Sequence, residues 1–97
     1  MVEMNVKWAP SALDDVESIA EYIARDSVEM ATIFVGKIFD TTERLQKFPF
    51  SGRVIPEIMD SDCREIIYGA YRIMYRIEHE EVWITGVMHG ARDWKTE

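Results

Sequence analysis

The chain contains a single cysteine, Cys63, among its 97 residues. No disulfide can close within it, and no Cys/His spacing resembles a zinc site, so a structural metal centre is not expected. Long apolar runs are also missing: uninterrupted stretches reach only a few residues, where a membrane helix needs roughly 20. Cations are scarce, with 11 Lys+Arg against 18 Asp+Glu and a net charge of −7. Phosphate backbones repel such a surface, so bulk-charge binding to nucleic acid is not expected and any anion site must be local. The segment Met1-Val2-Glu3-Met4-Asn5-Val6-Lys7 lacks a basic region followed by an apolar core, and the expectation is a reduced, cytoplasmic protein. A Gly-rich phosphate loop, an HExxH helix, a Ser-His-Asp order and a paired-carboxylate site are all absent, so no cofactor is expected.

What is present is an ordinary globular balance, 47% apolar and 30% charged, in a length suited to one domain spanning residues 1–97. Met4 to Trp8 alternates as a short strand. Pro10 marks a helix start, with Ser11 and Asp14 as a competing cap, and Leu13, Val16, Ala20 and Ile23 form an apolar stripe from Ser11 to Arg25. The acidic residues opposite that stripe fall on its expected solvent face and receive no role. Asp26 with Glu29 resembles a capping box. It opens a second helix whose apolar face comprises Ala31, Phe34, Val35, Ile38, Phe39, Thr42 and Leu45, stopping before Pro49.

Beyond Pro49 the period falls from 3.6 to 2. Strands are predicted over Cys63 to Tyr68, Tyr71 to Glu78 and Val82 to Met88, with short turns between them. The order β-αα-βββ predicts an α+β sandwich, an antiparallel sheet covered on one face by an N-terminal helical hairpin.

Tyr71, Ile73, Tyr75 and Ile77 should meet the helices, leaving Arg72 and Arg76 on the face the helices cannot cover. Separated by four strand residues, these arginines lie about 13 Å apart. They can flank a ligand groove, or each can pair with a glutamate, Glu65 and Glu78 being the obvious candidates. His89 and Arg92 follow the last strand, where they could form a proton-transfer and anion-stabilising pair or simply a sheet terminus. Cys63, opening a strand, reads as a structural thiol.

Four segments, in this order, resemble the ParE/RelE superfamily of toxins from type II toxin–antitoxin modules, and its ParE-like branch in particular. They are Val6-Lys7-Trp8-Ala9-Pro10-Ser11-Ala12, Phe48-Pro49-Phe50-Ser51-Gly52-Arg53, Tyr71-Arg72-Ile73-Met74-Tyr75-Arg76-Ile77 and Val87-Met88-His89-Gly90-Ala91-Arg92-Asp93. The resemblance implies a plasmid-stabilisation or stress-response toxin that inhibits DNA gyrase, neutralised by a cognate ParD/RelB-like antitoxin. Such a gyrase-binding toxin needs no catalytic residues. The alternative is a RelE-like ribosome-dependent ribonuclease cutting messenger RNA, for which Arg72, His89 and Arg92 would be the catalytic candidates. There the family's lysine positions fall near Cys63 and Glu65, and no tyrosine follows Arg92. A further alternative is an inactive or non-toxin interaction module. The resemblance also implies that Arg64, Arg72, Arg76 and Arg92 contact the antitoxin's tail, whose acidic residues would accept charge-assisted hydrogen bonds.

Overall fold

A computed structural model describes residues 3–90. Strand β1 (Asn5–Trp8) leads into helix α1 (Pro10–Ala24) and helix α2 (Val28–Glu43), followed by a tight 3₁₀ turn at Arg44–Gln46. Strands β2 (Arg53–Val54), β3 (Cys63–Tyr68), β4 (Tyr71–Glu78) and β5 (Glu81–His89) complete the described chain. The sheet order is β1-β5-β4-β3-β2. β2 to β5 pair antiparallel, whereas β1 runs parallel to β5, so the sheet is mixed where a wholly antiparallel one was expected. The reason is topological. The helical hairpin returns the chain after β1, and the meander β3-β4-β5 then brings its last strand beside β1 in the same direction.

Pro10 occupies the first helical position of α1 with Ala9 as a cap lacking a side-chain acceptor, and the Ser11 hydroxyl instead donates to Thr85 O at 3.3 Å. The α1 stripe meets the core at Val16, Ala20 and Ile23 as expected, but at its start Ala12 is buried in place of Leu13, which is 44% exposed. Ser27, not Asp26, caps α2, its hydroxyl accepting the Met30 N–H at 3.1 Å. Ala31, Phe34, Ile38 and Thr42 form the buried face of α2, as the periodicity predicts, and Leu45 joins the core from the 3₁₀ turn.

Against these helices the sheet presents Ile66 from β3, Ile73 and Tyr75 from β4, and Val82, Ile84 and Val87 from β5. Phe34 packs on Tyr71 with ring centroids 5.0 Å apart, and Trp8 on Phe39 at 4.6 Å. The odd-numbered face of β4 therefore meets the helices. The opposite, outer face is not bare. The segment after β2 folds across it, and Ile55 joins Cys63 and Met74 in a second small core with Met88 against its edge.

Candidate functional site

Residues paired directly across neighbouring strands share a face, so register decides which arginines belong together. Arg72 lies opposite Ile67 and Met88, and Arg76 opposite Cys63 and Trp83, which puts both on the outer face. Arg64 lies opposite Tyr75, on the helix side. The arginines expected to act together are thus divided between two faces, and Arg92 lies outside the described residues.

Arg72 stands at the centre of the outer face with only 8% of its side chain exposed. Its Nε donates to Glu65 Oε1 at 2.7 Å, and its two terminal nitrogens donate to the two Glu57 oxygens at 3.1 and 2.9 Å. Glu65 is fully enclosed (side-chain exposure 0%), and its second oxygen accepts from Arg53 Nε at 2.6 Å. Two guanidinium groups and two carboxylates therefore interlock. The Glu57 hydrogen bonds hold the Arg72 guanidinium protonated well above its ordinary range, against the opposing effect of burial, with Glu65 adding to the effect. Reciprocally, Arg72 holds the Glu57 carboxyl below its ordinary value. The pairing of Arg72 with Glu65 anticipated from sequence is present. Glu57 sits in an irregular stretch around Pro56 with no period to read, and it went unrecognised.

Arg76 is half-exposed, its Nε lying 3.8 Å from Glu78 Oε1 and one terminal nitrogen 3.7 Å from Cys63 Sγ. The Cys63 thiol itself is buried among Ile55 and Met74. His89 closes β5 at the surface, edge-on to the Tyr71 ring at 5.5 Å. Arg64 acts locally: Nε donates to Ser61 O at 2.8 Å, and one terminal nitrogen to Gly52 O at 2.8 Å and Phe50 O at 3.3 Å.

A further side chain missed in the sequence is Asp15. The β4–β5 ladder shifts register between Met74 and Tyr75, so Gly86 pairs with Met74 and Ile84 with Tyr75, leaving Thr85 as the extra residue. This bulge lies just past the end of β1, and the Val87 N–H is met by Asp15 Oδ2 from α1 at 3.0 Å. A groove of about 880 Å³ opens here, lined by Asp15, Ile19, Tyr22, Tyr71, Met88 and His89 among others. The acidic side of α1 is therefore not wholly a solvent face. Helix periodicity gives no signal for a carboxylate aimed at a neighbouring strand.

Chemically, the centre of the outer face is a closed ion-pair cluster in which the Arg72 charge is already matched. In-line cleavage of RNA needs a cation free to meet charge developing on phosphorus. Arg72 already faces the carboxylates of Glu57 and Glu65, and a phosphate reaching it would have to displace Glu57. Among the described residues, no three His, Cys, Asp or Glu side chains gather as a metal site, and no helix is long and apolar enough to cross a membrane.

Comparison with known proteins places this chain among toxins. A family model described as the ParE toxin of the type II toxin–antitoxin system parDE matches residues 6–94. The candidate toxin Y4kP of Sinorhizobium fredii is 32% identical over 96 residues, covering 97% of this chain and 96% of that protein. Among solved structures, a chain of the chromosomal ParDE toxin–antitoxin system from P. aeruginosa superimposes with a TM-score of 0.73 at 21% identity, covering 90% of this chain and 96% of that one. A chain of the RelBE2 toxin–antitoxin complex from Mycobacterium tuberculosis gives a TM-score of 0.57 at 24% identity, covering 91% and 99%. At these identities the two structures speak to the fold.

Proposed function

Because the chain belongs to the ParE toxin family of type II toxin–antitoxin systems, we propose that it acts by binding a protein, DNA gyrase being the target its sequence resemblance implies, and that a cognate antitoxin silences it. The observation that carries this reading is the capture of Arg72 by Glu57 and Glu65. A ribonuclease would need that guanidinium for the scissile phosphate. Here it is neutralised by its own chain, in a protein whose net charge of −7 already disfavours an RNA-rich target such as the ribosome.

The antitoxin would lie on the sheet and around the groove at the end of β5. Of the four arginines assigned to that contact, Arg76 is the one offered half-exposed on the outer face, where a tail carboxylate can compete with Glu78 at 3.8 Å. Arg72 and Arg64 contribute by holding the floor and the rim of the surface in shape. Arg92 belongs to the same proposal through the resemblance alone.

Expressing the chain without its antitoxin in a bacterium is expected to arrest growth, with relief by the neighbouring antitoxin gene. In vitro the purified protein is expected to inhibit supercoiling by gyrase and to leave messenger RNA intact on translating ribosomes. Ribosome-dependent cleavage of messenger RNA without any effect on gyrase overturns the reading.

A further inference from the structure

The loop joining the 3₁₀ turn to β2 is fixed from several directions. The buried Tyr75 hydroxyl donates to Pro49 O at 2.7 Å and accepts the Gly52 N–H at 2.9 Å. Arg64 binds the Phe50 and Gly52 carbonyls from outside, and the Phe48 N–H donates to Arg44 O at 2.9 Å. Gly52 is seated so closely that a Cβ would come within 2.6 Å of both Glu65 O and the Tyr75 hydroxyl. Such a loop is held in one conformation. Yet it presents two large rings to water, Phe48 at 60% and Phe50 at 54% exposure.

Charge singles out the same place. Residues 44–56 form the longest stretch of the chain without an acidic residue, and they carry Arg44, Lys47 and Arg53 in a protein of net charge −7. Arg53 is engaged with Glu65, but Arg44, Lys47 and Arg64 make no ion pair among the described residues. Arg64 lies over the Phe50 ring at 5.0 Å from its centroid. Exposed aromatic rings beside arginine, on backbone that loses little freedom when bound, are the composition of an interface hot spot.

We infer that the Phe48–Phe50 loop, with Arg44, Lys47 and Arg64, is a docking surface for an acidic protein segment that also carries apolar side chains. The segment's carboxylates would meet the uncompensated cations while its apolar side chains cover the two rings. Nucleic acid fits less well. Its charge repeats at every nucleotide, so a strand leaving the loop would run onto the acidic flanks at Glu43, Asp60 and Asp62, whereas a protein segment can place carboxylates only where cations wait. The loop borders the surface assigned to the antitoxin and shares Arg64 with it, whereas Phe48, Phe50, Arg44 and Lys47 belong to no contact assigned above, and the inference stands whether or not the chain acts on gyrase.

The test is fluorescence anisotropy on the purified full-length protein with a labelled short peptide alternating glutamate with leucine and phenylalanine. The same peptide with lysine for glutamate and a single-stranded thymidine oligonucleotide serve as comparisons. The acidic peptide is expected to bind at least ~10-fold more tightly than the lysine peptide, weakening as salt rises. Phe50→Ser and Lys47→Glu, both at exposed positions, are each expected to weaken it by ~5-fold or more. Arg25→Glu, at the far end of the helical hairpin, should leave it within ~2-fold. Thermal unfolding of each variant shows that the fold is kept. The proposal is overturned by absent binding, by equal binding of the two peptides, by indifference to both loop variants, or by tighter capture of the oligonucleotide.

Discussion

Replacing Arg72 with methionine interrogates the ion cluster at the heart of the outer face. Methionine retains much of the apolar stem, so the change removes charge more than volume. The Glu65 carboxylate, with side-chain exposure of 0%, would be left with Arg53 alone at 2.6 Å. Glu57, with 27% of its side chain exposed, can turn toward water and loses less. Deleting one partner of a buried pair costs about 3–5 kcal/mol, and the surviving Arg53 contact places this case near the lower end, about 3 kcal/mol. In a domain of this size that lowers Tm by roughly 12–24 °C. Urea unfolding followed by tryptophan fluorescence should show a lower midpoint at unchanged slope. Glu65→Gln in the same background separates charge from shape. If a stranded carboxylate is the cause, R72M/E65Q should be more stable than R72M by about 1 kcal/mol or more. A loss under about 1 kcal/mol in R72M, or a double variant no better than the single one, refutes the closed-cluster account and returns Arg72 to the pool of groups open to a ligand.

Tyr75→Phe strands the buried Gly52 N–H and the Pro49 carbonyl, and is expected to cost about 2 kcal/mol, with faster amide exchange at Gly52; unchanged exchange there would contradict the pinned loop. Asp15→Ala removes the acceptor of the Val87 N–H beside the bulge, and a loss of about 1–2 kcal/mol is expected, read by urea unfolding with Val87 amide protection as the local probe. Because the Arg72 hydrogen bonds lower the Glu57 pKa in the folded state, that stabilisation is complete above the unfolded value and disappears as pH falls through the folded one. The decline of the urea midpoint from about pH 5 to pH 3 should therefore be shallower in Glu57→Gln than in the parent chain; identical slopes would remove Glu57 from the acid response.

Element order and the burial of one face of β4 are legible in the sequence because period and turn chemistry are local quantities. Tyr71, Ile73, Tyr75 and Ile77 alternate whatever lies beside them, and Pro49 bars a preceding helix from running through it. What the sequence leaves open depends on register or on irregular backbone. Arg64 and Arg72 look alike on paper, and only the pairing of Arg64 with Tyr75 assigns it to the helix side. Parity along β3 gives two faces without saying which is which until the turn at Gly69-Ala70 aligns Tyr68 with Tyr71. Parallel placement of β1 beside β5 is likewise a consequence of the whole meander, and no residue of β1 announces it. Glu57 and Asp15 are the instructive cases. One lies in a stretch without a period, and the other sits where the helix pattern assigns solvent but the bulge at Thr85 delivers an N–H.

The same register argument explains why an arginine-bearing sheet is not a basic surface. On the outer face each cation meets a carboxylate of its own chain: Arg53 and Arg72 share Glu65, Arg72 also holds Glu57, and Arg76 lies near Glu78. That face can bind by shape, by its apolar surroundings and by exchange of one carboxylate for another, but it has little charge to attract a polyanion from a distance. Arg64 differs because the chain supplies it with carbonyls and an aromatic ring in place of a carboxylate, and Arg44 and Lys47 make no ion pair among the described residues. Composition reports only the total over the whole chain, −7, in which this difference does not show. The distribution underlying that sum directs an acidic partner to the Phe48–Phe50 loop and leaves the sheet to a partner that competes with Glu57 and Glu78 on their own terms.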